Sequence, residues 1–294
     1  MKPSKDVFFS TANLPNNPYW DWRDYDYPTV PGMDLALNAA IVTLSTGPVA
    51  IGDGPNNTNR SLVMRSCRED GLLLTPEKPL TAIDAMCDGR RPPPGGFADA
   101  GYAQVWSTYS EISSGRGAAH RYHMLMSIDV AGPYALDPQL DLYPGLGSLR
   151  HVYFWEHDAH KCQHGVRAVH SGCVSTALPS LDDGSRPMTA VDSHQWSLLR
   201  LAPVLANGWV LLGELGKWVT ASSKRFENLT MSDGGAVVAL DGVAGEVVRL
   251  TALRPDADGD GDWIVVAADV ACVGGLQRVR LGRCDSNELV ALLL

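Results

Sequence analysis

Several features that define large functional classes are missing from this sequence of 294 residues. It has no apolar run near the roughly 18 residues that a membrane-spanning helix needs. Its Lys and Arg residues do not cluster, and the formal net charge is −9, which argues against general binding to a phosphate backbone. Serine-nucleophile, phosphate-loop and dinucleotide motifs are absent. We therefore expect no membrane segment, no nucleic-acid partner and no nucleotide cofactor.

Cysteine is also sparse, with six residues that form no Cys-x-x-Cys pair. A chain of this size buries enough apolar surface to fold without a disulfide framework. Reduced thiols are the favoured interpretation, and the cellular compartment stays open.

What is present begins with an alternation of strand and helix. The sequence predicts a strand over 6–12, a helix over 33–45 from its apolar periodicity, and a buried strand over 49–51. Gly47-Pro48 ends the helix. Asn57 or Thr58 is expected to cap a second helix, which ends at Asp70-Gly71 before an extended segment. This alternation at short spacing is typical of an α/β layer, here with two βα units.

The pattern changes after a segment rich in proline and glycine at 76–100, which is predicted to be a connector. Beyond it the apolar period becomes two, and Asn207-Gly208 is typical of a tight hairpin turn. The predicted fold class is α+β multidomain. A partial (β/α) barrel remnant, comprising the last two βα units, would occupy 1–75, and a large antiparallel β-sandwich would occupy 101–294. The strands predicted for the sandwich are 102–112, 121–130, 151–156, 196–205, 208–214, 217–223, 235–240, 245–254, 262–271 and 276–282.

Two segments are candidates for ligand binding. Asp53 follows the strand 49–51 between two glycines, and Asn56 comes three residues later. Side chains at the carboxyl ends of barrel strands line active sites, and a carboxylate can accept hydrogen bonds from sugar hydroxyls. A helix-capping turn is the competing interpretation. The loop 18–28 combines Trp20, Asp21 and Asp24 with further aromatic residues, a mixture found both in carbohydrate sites and in packed interdomain loops.

These segments, taken in order, resemble the end of the barrel in raffinose synthases and alkaline α-galactosidases. The resemblance covers roughly residues 6–80. It rests on Tyr19-Trp-Asp-Trp22, Gly47-Pro-Val-Ala-Ile-Gly-Asp53, Asn56-x-x-Asn59, Asp70-Gly71-Leu-Leu-Leu74, Pro76 and Pro79. Those enzymes carry an Asp-Trp-Asp loop after the seventh strand and an Asp at the end of the eighth.

The resemblance implies that Asp21 and Asp53 contact sugar and that Trp20 or Trp22 forms a stacking platform. Arg23 stands where the second Asp of that loop would be, which leaves the identity of the sugar open. In such enzymes the nucleophile and the acid/base lie on earlier strands, near the fourth and the sixth. No catalytic residue is therefore assigned here, and the chain is expected to be a truncated copy or to need a partner chain.

Two polar clusters could bind metal ions, but simpler interpretations are favoured. Residues 151–173 are rich in His and Cys without a common zinc spacing, and a solvated turn is preferred. The run Asp256–Asp262 begins like a calcium loop but has Ala267 where the bidentate Glu belongs, which favours an acidic hairpin tip. We therefore expect no metal site and no cofactor.

The sequence thus predicts the C-terminal fragment of a carbohydrate-active enzyme, a glycosidase or a transglycosidase acting on α-galactoside-like sugars. It would be catalytically incomplete alone. Its expected partners are an oligosaccharide or glycan and a missing barrel half or a second copy of the chain. The alternatives are a non-catalytic β-sandwich that binds glycans or another protein, and a metal-dependent binding domain. The residues expected to contact substrate are Trp20, Asp21, Asp24, Asp53 and Asn56.

Overall fold

The computed structural model of the chain describes residues 7–11, 35–83, 104–115, 117–128, 135–136, 141–142, 144–146, 151–157, 163–169, 176–177, 196–255, 263–283 and 289–293. Strands dominate these residues, as the sequence predicts for the greater part of the chain. Within the described residues, the helices are confined to the segment before residue 64.

The N-terminal unit comprises the described residues up to 75. It begins with strand β1 (Val7–Phe8), helix α1 (Leu35–Leu44) and strand β2 (Ala50–Ile51). The two strands pair in parallel, with Val7 opposite Ala50 and Phe8 opposite Ile51. The strand, helix and strand therefore occur in the predicted order, but the prediction of a buried strand at 49–51 was wrong, because both residues of β2 are exposed among the described residues. The helix ends where Thr46 adopts a positive φ of 58°, just before Gly47-Pro48.

The second helix is shorter than the sequence suggests. Helix α2 (Arg60–Val63) is capped by Asn59, whose side chain accepts a hydrogen bond from the Leu62 amide, so the prediction of Asn57 or Thr58 as the cap was wrong. It ends well before Asp70-Gly71. After α2, the carbonyl groups of Met64 and Cys67 accept hydrogen bonds from the Lys217 ammonium, each at 2.7 Å.

Part of the predicted connector belongs to the β-structure. Strand β3 (Thr81–Ala82) pairs with the first long strand of the large sheet. The Leu80 amide donates to the carbonyl of Leu44 at 3.0 Å, which ties the segment to the end of α1. Residues 84–100 of that connector lie outside the described residues.

The remaining strands form a large sheet, a smaller second sheet and one short pair. Their bounds are β4 (Gln104–Ser113), β5 (Ala119–Ile128), β6 (Ala135–Leu136), β7 (His151–His157), β8 (Gln163–Val169), β9 (Thr176–Ala177), β10 (Trp196–Pro203), β11 (Val210–Gly213), β12 (Phe226–Ser232), β13 (Gly235–Gly242), β14 (Val247–Pro255), β15 (Trp263–Ala271), β16 (Gly275–Arg283) and β17 (Leu289–Leu293).

The large sheet has ten strands among the described residues and curls into a half-barrel. Its order is β17-β16-β13-β12-β4-β5-β10-β7-β8, with β3 attached to β4. Neighbouring strands run antiparallel, except for one parallel pairing between Asn228 of β12 and Ser113 of β4. The second sheet has the order β11-β14-β15 and is antiparallel throughout. The predicted antiparallel, β-rich region is therefore present.

Several strand predictions differ from the structure. Residues 217–223 form no strand, whereas β12 and β17 were not predicted as strands. The turn at Asn207-Gly208 exists, and Gly208 has the positive φ of 83° that such a turn requires. It does not join two paired strands, however, because β10 belongs to the large sheet and β11 to the second sheet.

Two apolar cores hold these parts together. One lies between the two sheets and contains, among others, Phe154, Leu211, Val238, Leu250 and Val279. The other contains residues of α1, such as Leu37 and Leu44, together with Trp106, Met126 and Trp218. The N-terminal unit is therefore packed on one face of the large sheet.

Candidate functional site at the carboxyl ends of the parallel strands

The site is built where the two parallel strands end. Ser10 lies two residues after β1, and Asp53 lies two residues after β2. The Ser10 amide donates to Asp53 Oδ1 at 2.8 Å, and the Ser10 hydroxyl donates to Asp53 Oδ2. Parallel strands bring their carboxyl ends to one edge of a sheet, which is where ligands bind in α/β folds. Asp53 therefore lies at the edge where the sequence predicts it.

A third group fixes the direction of the Ser10 hydroxyl. The backbone amide of Asn59 donates to Ser10 Oγ at 2.7 Å. Because this oxygen accepts that hydrogen bond, the hydroxyl proton of Ser10 is directed toward Asp53. Ser10 is fully buried, whereas Asp53 is partly exposed. One side of the carboxylate is therefore held by the protein interior, and the group remains accessible to solvent.

Asn56 has a backbone role that the sequence analysis did not predict. The Asn57 amide donates to the carbonyl of Gly54 at 3.1 Å, which closes a four-residue turn with Pro55 and Asn56 at its centre. Asn56 has a φ of 65°. A turn with proline second and a positive φ third is a type II turn, in which Asn is one of the residues that tolerate the third position. Asn56 is exposed.

The glycine before Asp53 is explained by packing within the chain. A Cβ atom on Gly52 would lie 2.9 Å from the ring of Phe9, closer than such atoms approach one another. The Gly52 amide also donates to the carbonyl of Phe8 at 2.9 Å and thereby closes the parallel ladder. A side chain at position 52 would therefore have to displace the Phe9 ring, so packing within the chain accounts for this glycine.

The remaining predicted contacts lie outside the described residues. They are Trp20, Asp21 and Asp24 in the segment 12–34. This segment starts after Thr11, next to Ser10, and ends at the first residue of α1. Of the five predicted contacts, the described residues thus include Asp53 and Asn56, and Asp53 is the one held by hydrogen bonds from Ser10. It adds Ser10 and Asn59, which sequence reasoning missed.

The other edge of β2 is open. In the parallel register, Phe8 forms its hydrogen bonds with Ala50 and Gly52, the two residues that flank Ile51. The amide and carbonyl of Ile51 therefore point away from β1. Neither group has a partner among the described residues, and the Ile51 side chain is 41% exposed. The described part of the chain thus presents a parallel strand with one open edge and an exposed apolar side chain.

Charged side chains anchor this unit to the β-structure. Arg68 binds Asp70 at 2.6 Å and Asp241 of β13 at 2.5 Å, and its side chain is almost buried. The hydrogen bond from Arg68 lowers the pKa of Asp70 to about 2. The Trp218 amide donates to the carbonyl of Arg65, whose guanidinium lies 3.5 Å from the centre of the Trp218 ring.

A buried charge cluster lies beside this anchor. Arg225 contacts Glu214 at 2.8 Å and Glu246 at 2.6 Å. The Glu69 amide donates to Glu246 at 3.4 Å, which joins the N-terminal unit to the cluster. Burial raises the pKa of Glu214 despite the nearby Arg225. The cluster is fully occupied by its own ion pairs, so it is structural.

Buried histidines occupy the other face of the large sheet. The ring centroids of His123 and His151 lie 6.1 Å apart, and Tyr109 lies on the other side of His123 at 6.2 Å. Burial lowers the pKa of His123 to about 3, with the nearby charges of His151, Arg121 and Lys78 acting in the same direction. His123 is therefore a neutral core residue at ordinary pH.

The part of the chain that the structure describes contains no group of three or more His, Cys, Asp or Glu side chains placed to hold a metal ion. Cys162 and Cys173 of the predicted His- and Cys-rich cluster, and the acidic run 256–262, lie outside it. No helix in the same part is both long and apolar enough to cross a membrane.

No family model matches this sequence, and no curated protein matches it.

Proposed function

We propose that this chain is the C-terminal part of a carbohydrate-active enzyme that acts on α-galactoside-like sugars as a glycosidase or a transglycosidase. It would contribute the last two βα units of a (β/α) barrel and the β-domain that follows. The observation that carries this proposal is the parallel pairing of β1 and β2 through α1, with Ser10 and Asp53 meeting at their carboxyl ends.

The open edge of β2 supports the larger parallel sheet that a barrel requires. Parallel sheets are found almost only where both faces are covered and several strands pair. A strand with one open edge and an exposed apolar residue is a site for another strand. In a closed barrel the last strand pairs with the first, and Ile51 would provide the amide and carbonyl for that pairing.

The carboxylate of Asp53 supports the sugar as ligand. A carboxylate provides about four acceptor positions, of which Ser10 occupies two. The remaining positions can accept protons from sugar hydroxyls. The segment 12–34 starts beside Ser10, so in this proposal Trp20 stacks on the sugar ring while Asp21 and Asp24 bind further hydroxyls.

The reaction itself needs groups outside this chain. Retaining glycosidases place two carboxyl groups about 5–5.5 Å apart across the scissile bond. Asp53 is held by Ser10 and is assigned to binding. The nucleophile and the acid/base are therefore expected on the earlier barrel strands, in another part of the polypeptide or in a partner.

The proposal predicts binding without turnover by this chain alone. Methyl α-D-galactopyranoside is the probe, and saturation-transfer NMR measures its binding, with a Kd expected on the order of millimolar because only part of the site is present. Asp53→Asn should weaken binding severalfold. The matched control is Asp269→Asn, on an exposed carboxylate of the second sheet, which should leave binding unchanged.

Two results would refute the proposal: no binding by the unaltered chain, or turnover of p-nitrophenyl α-galactoside by the chain alone. Binding that is equally strong in Asp53→Asn would instead favour a non-catalytic glycan-binding module with its site elsewhere on the β-domain.

A further inference from the structure

The contacts of Ser10 suggest that it does more than stabilise the fold. It donates two hydrogen bonds to one carboxylate, the amide to Oδ1 and the hydroxyl to Oδ2. Two donors from one residue fix both the position and the plane of the carboxylate, as a bidentate contact does. A single donor would leave the group free to rotate about its Cβ–Cγ bond.

The hydroxyl is itself oriented by the backbone. Because Ser10 Oγ accepts the Asn59 amide proton at 2.7 Å, its own proton is directed toward Asp53 rather than toward solvent. Asn59 is in turn fixed as the cap of α2, where its Oδ1 accepts from the Leu62 amide. The chain of contacts runs from α2 through Ser10 to Asp53, and it joins the carboxyl ends of β1 and β2.

We infer that Ser10 is a positioning residue that orients the Asp53 carboxylate to accept hydrogen bonds from two neighbouring hydroxyls of one sugar. This inference rests on the proposed function, since it concerns how the same site binds. Each carboxylate oxygen accepts one bond from Ser10 and keeps an acceptor position for a ligand. Two hydroxyls on adjacent ring carbons present their protons in one direction, which matches a carboxylate whose plane is fixed.

The test is a double-mutant cycle read as sugar affinity. Ser10→Ala removes the hydroxyl and keeps the amide, and it should weaken the binding of methyl α-D-galactopyranoside severalfold, but no more than Asp53→Asn does, because Ser10 acts on the sugar only through Asp53. In the Asp53→Asn background the same substitution should have no further effect. If Ser10 only stabilised the fold, the effect of Ser10→Ala on sugar affinity would not depend on Asp53.

Ser66→Ala is the matched control. Ser66 is also a buried serine of the N-terminal unit, but its hydroxyl bonds to Thr43 at 2.7 Å rather than to a carboxylate. This substitution should leave the affinity unchanged in both backgrounds.

The outcomes separate the two proposals. If the unaltered chain does not bind the galactoside, both the function and the role of Ser10 are wrong. If it binds, but Ser10→Ala binds equally well or weakens binding as much in the Asp53→Asn background, only the positioning role is wrong.

A second measurement covers the case in which Ser10→Ala does not fold. The Ser10 amide proton should resonate at low field because it donates to a carboxylate, and it should shift when the galactoside is added to the unaltered chain. A Ser10 amide that does not respond to bound sugar would overturn the positioning role.

Discussion

Replacing Arg225 by methionine removes the cation of a buried charge cluster while keeping most of the side-chain volume. The Arg225 side chain has no exposed surface, and those of Glu214 and Glu246 keep only 10% and 4%. The guanidinium donates to Glu214 once, to Glu246 twice at 2.6 and 2.9 Å, and to the carbonyl of Asp241 at 3.0 Å. Removing one partner of a buried ion pair costs about 3–5 kcal/mol of stability, so we expect Arg225→Met to lower the free energy of unfolding by about this much at pH 7.

The loss should depend on pH in a defined direction. Burial raises the pKa of Glu214. At Glu246 burial acts in the same direction, but the hydrogen bonds and charge of Arg225 together with the backbone amides of Val243 and Glu69 lower the pKa overall. Without Arg225, both carboxyl groups lose the contacts with which this cation lowers their pKa, so we expect both folded-state pKa values to rise. Such groups destabilise the fold as pH rises through the folded pKa, so the deficit should shrink between pH 7 and pH 5.

Urea unfolding at pH 7 and pH 5 measures both effects. Arg280→Met is the control, because Arg280 is exposed and makes one hydrogen bond to the carbonyl of Asp233 at 3.1 Å. It should cost less than about 0.5 kcal/mol. The reasoning is refuted if Arg225→Met is as stable as the unaltered chain at pH 7, or if its deficit is the same at both pH values.

Two further predictions concern backbone and histidine. Gly213 has a φ of 83°, and a Cβ atom there would lie 1.9 Å from the carbonyl oxygen of Thr220. Gly213→Ala should therefore cost about 2 kcal/mol or more by thermal unfolding, whereas Gly216→Ala, which meets nothing within 4 Å, should be nearly neutral. Equal losses for the two would contradict this account. His123 has a pKa of about 3 when folded and about 6.5 when unfolded, so stability should fall as pH drops through this interval, by about 1.4 kcal/mol per unit at most. His123→Leu should remove that slope from the unfolding free energy measured between pH 6 and pH 4, and an unchanged slope would show that His123 does not titrate in this way.

Local sequence patterns predicted the order of β1, α1 and β2 because they reflect local physical constraints, whereas the length and cap of α2 and the burial of β2 were wrong. The apolar period of α1 and the Gly47-Pro48 stop indicate a helix followed by a strand, and both are present. The position of Asp53 at a carboxyl end followed from the same pattern. Its partner did not, because Ser10 and Asp53 are 43 residues apart and meet only in the parallel register of β1 and β2.

Tertiary contacts explain the wrong strand at 217–223. The alternation around Trp218 and Val219 resembles a strand. The Trp218 amide, however, donates to the carbonyl of Arg65, and the Glu214 amide donates to the carbonyl of Thr220. The segment therefore forms turns that contact the N-terminal unit. Strand β12 was missed for the opposite reason. Its polar residues give a weak pattern, and its pairing with β13 and β4 supplies the structure.

The most direct test of the central proposal is to read the transcript upstream of the Met1 codon and to express the product that it encodes. We predict an in-frame extension with further βα units and two reactive carboxylates, whose product hydrolyses p-nitrophenyl α-galactoside while the 294-residue chain alone does not. An extension without such units, or sugar turnover by the short chain by itself, would contradict the account.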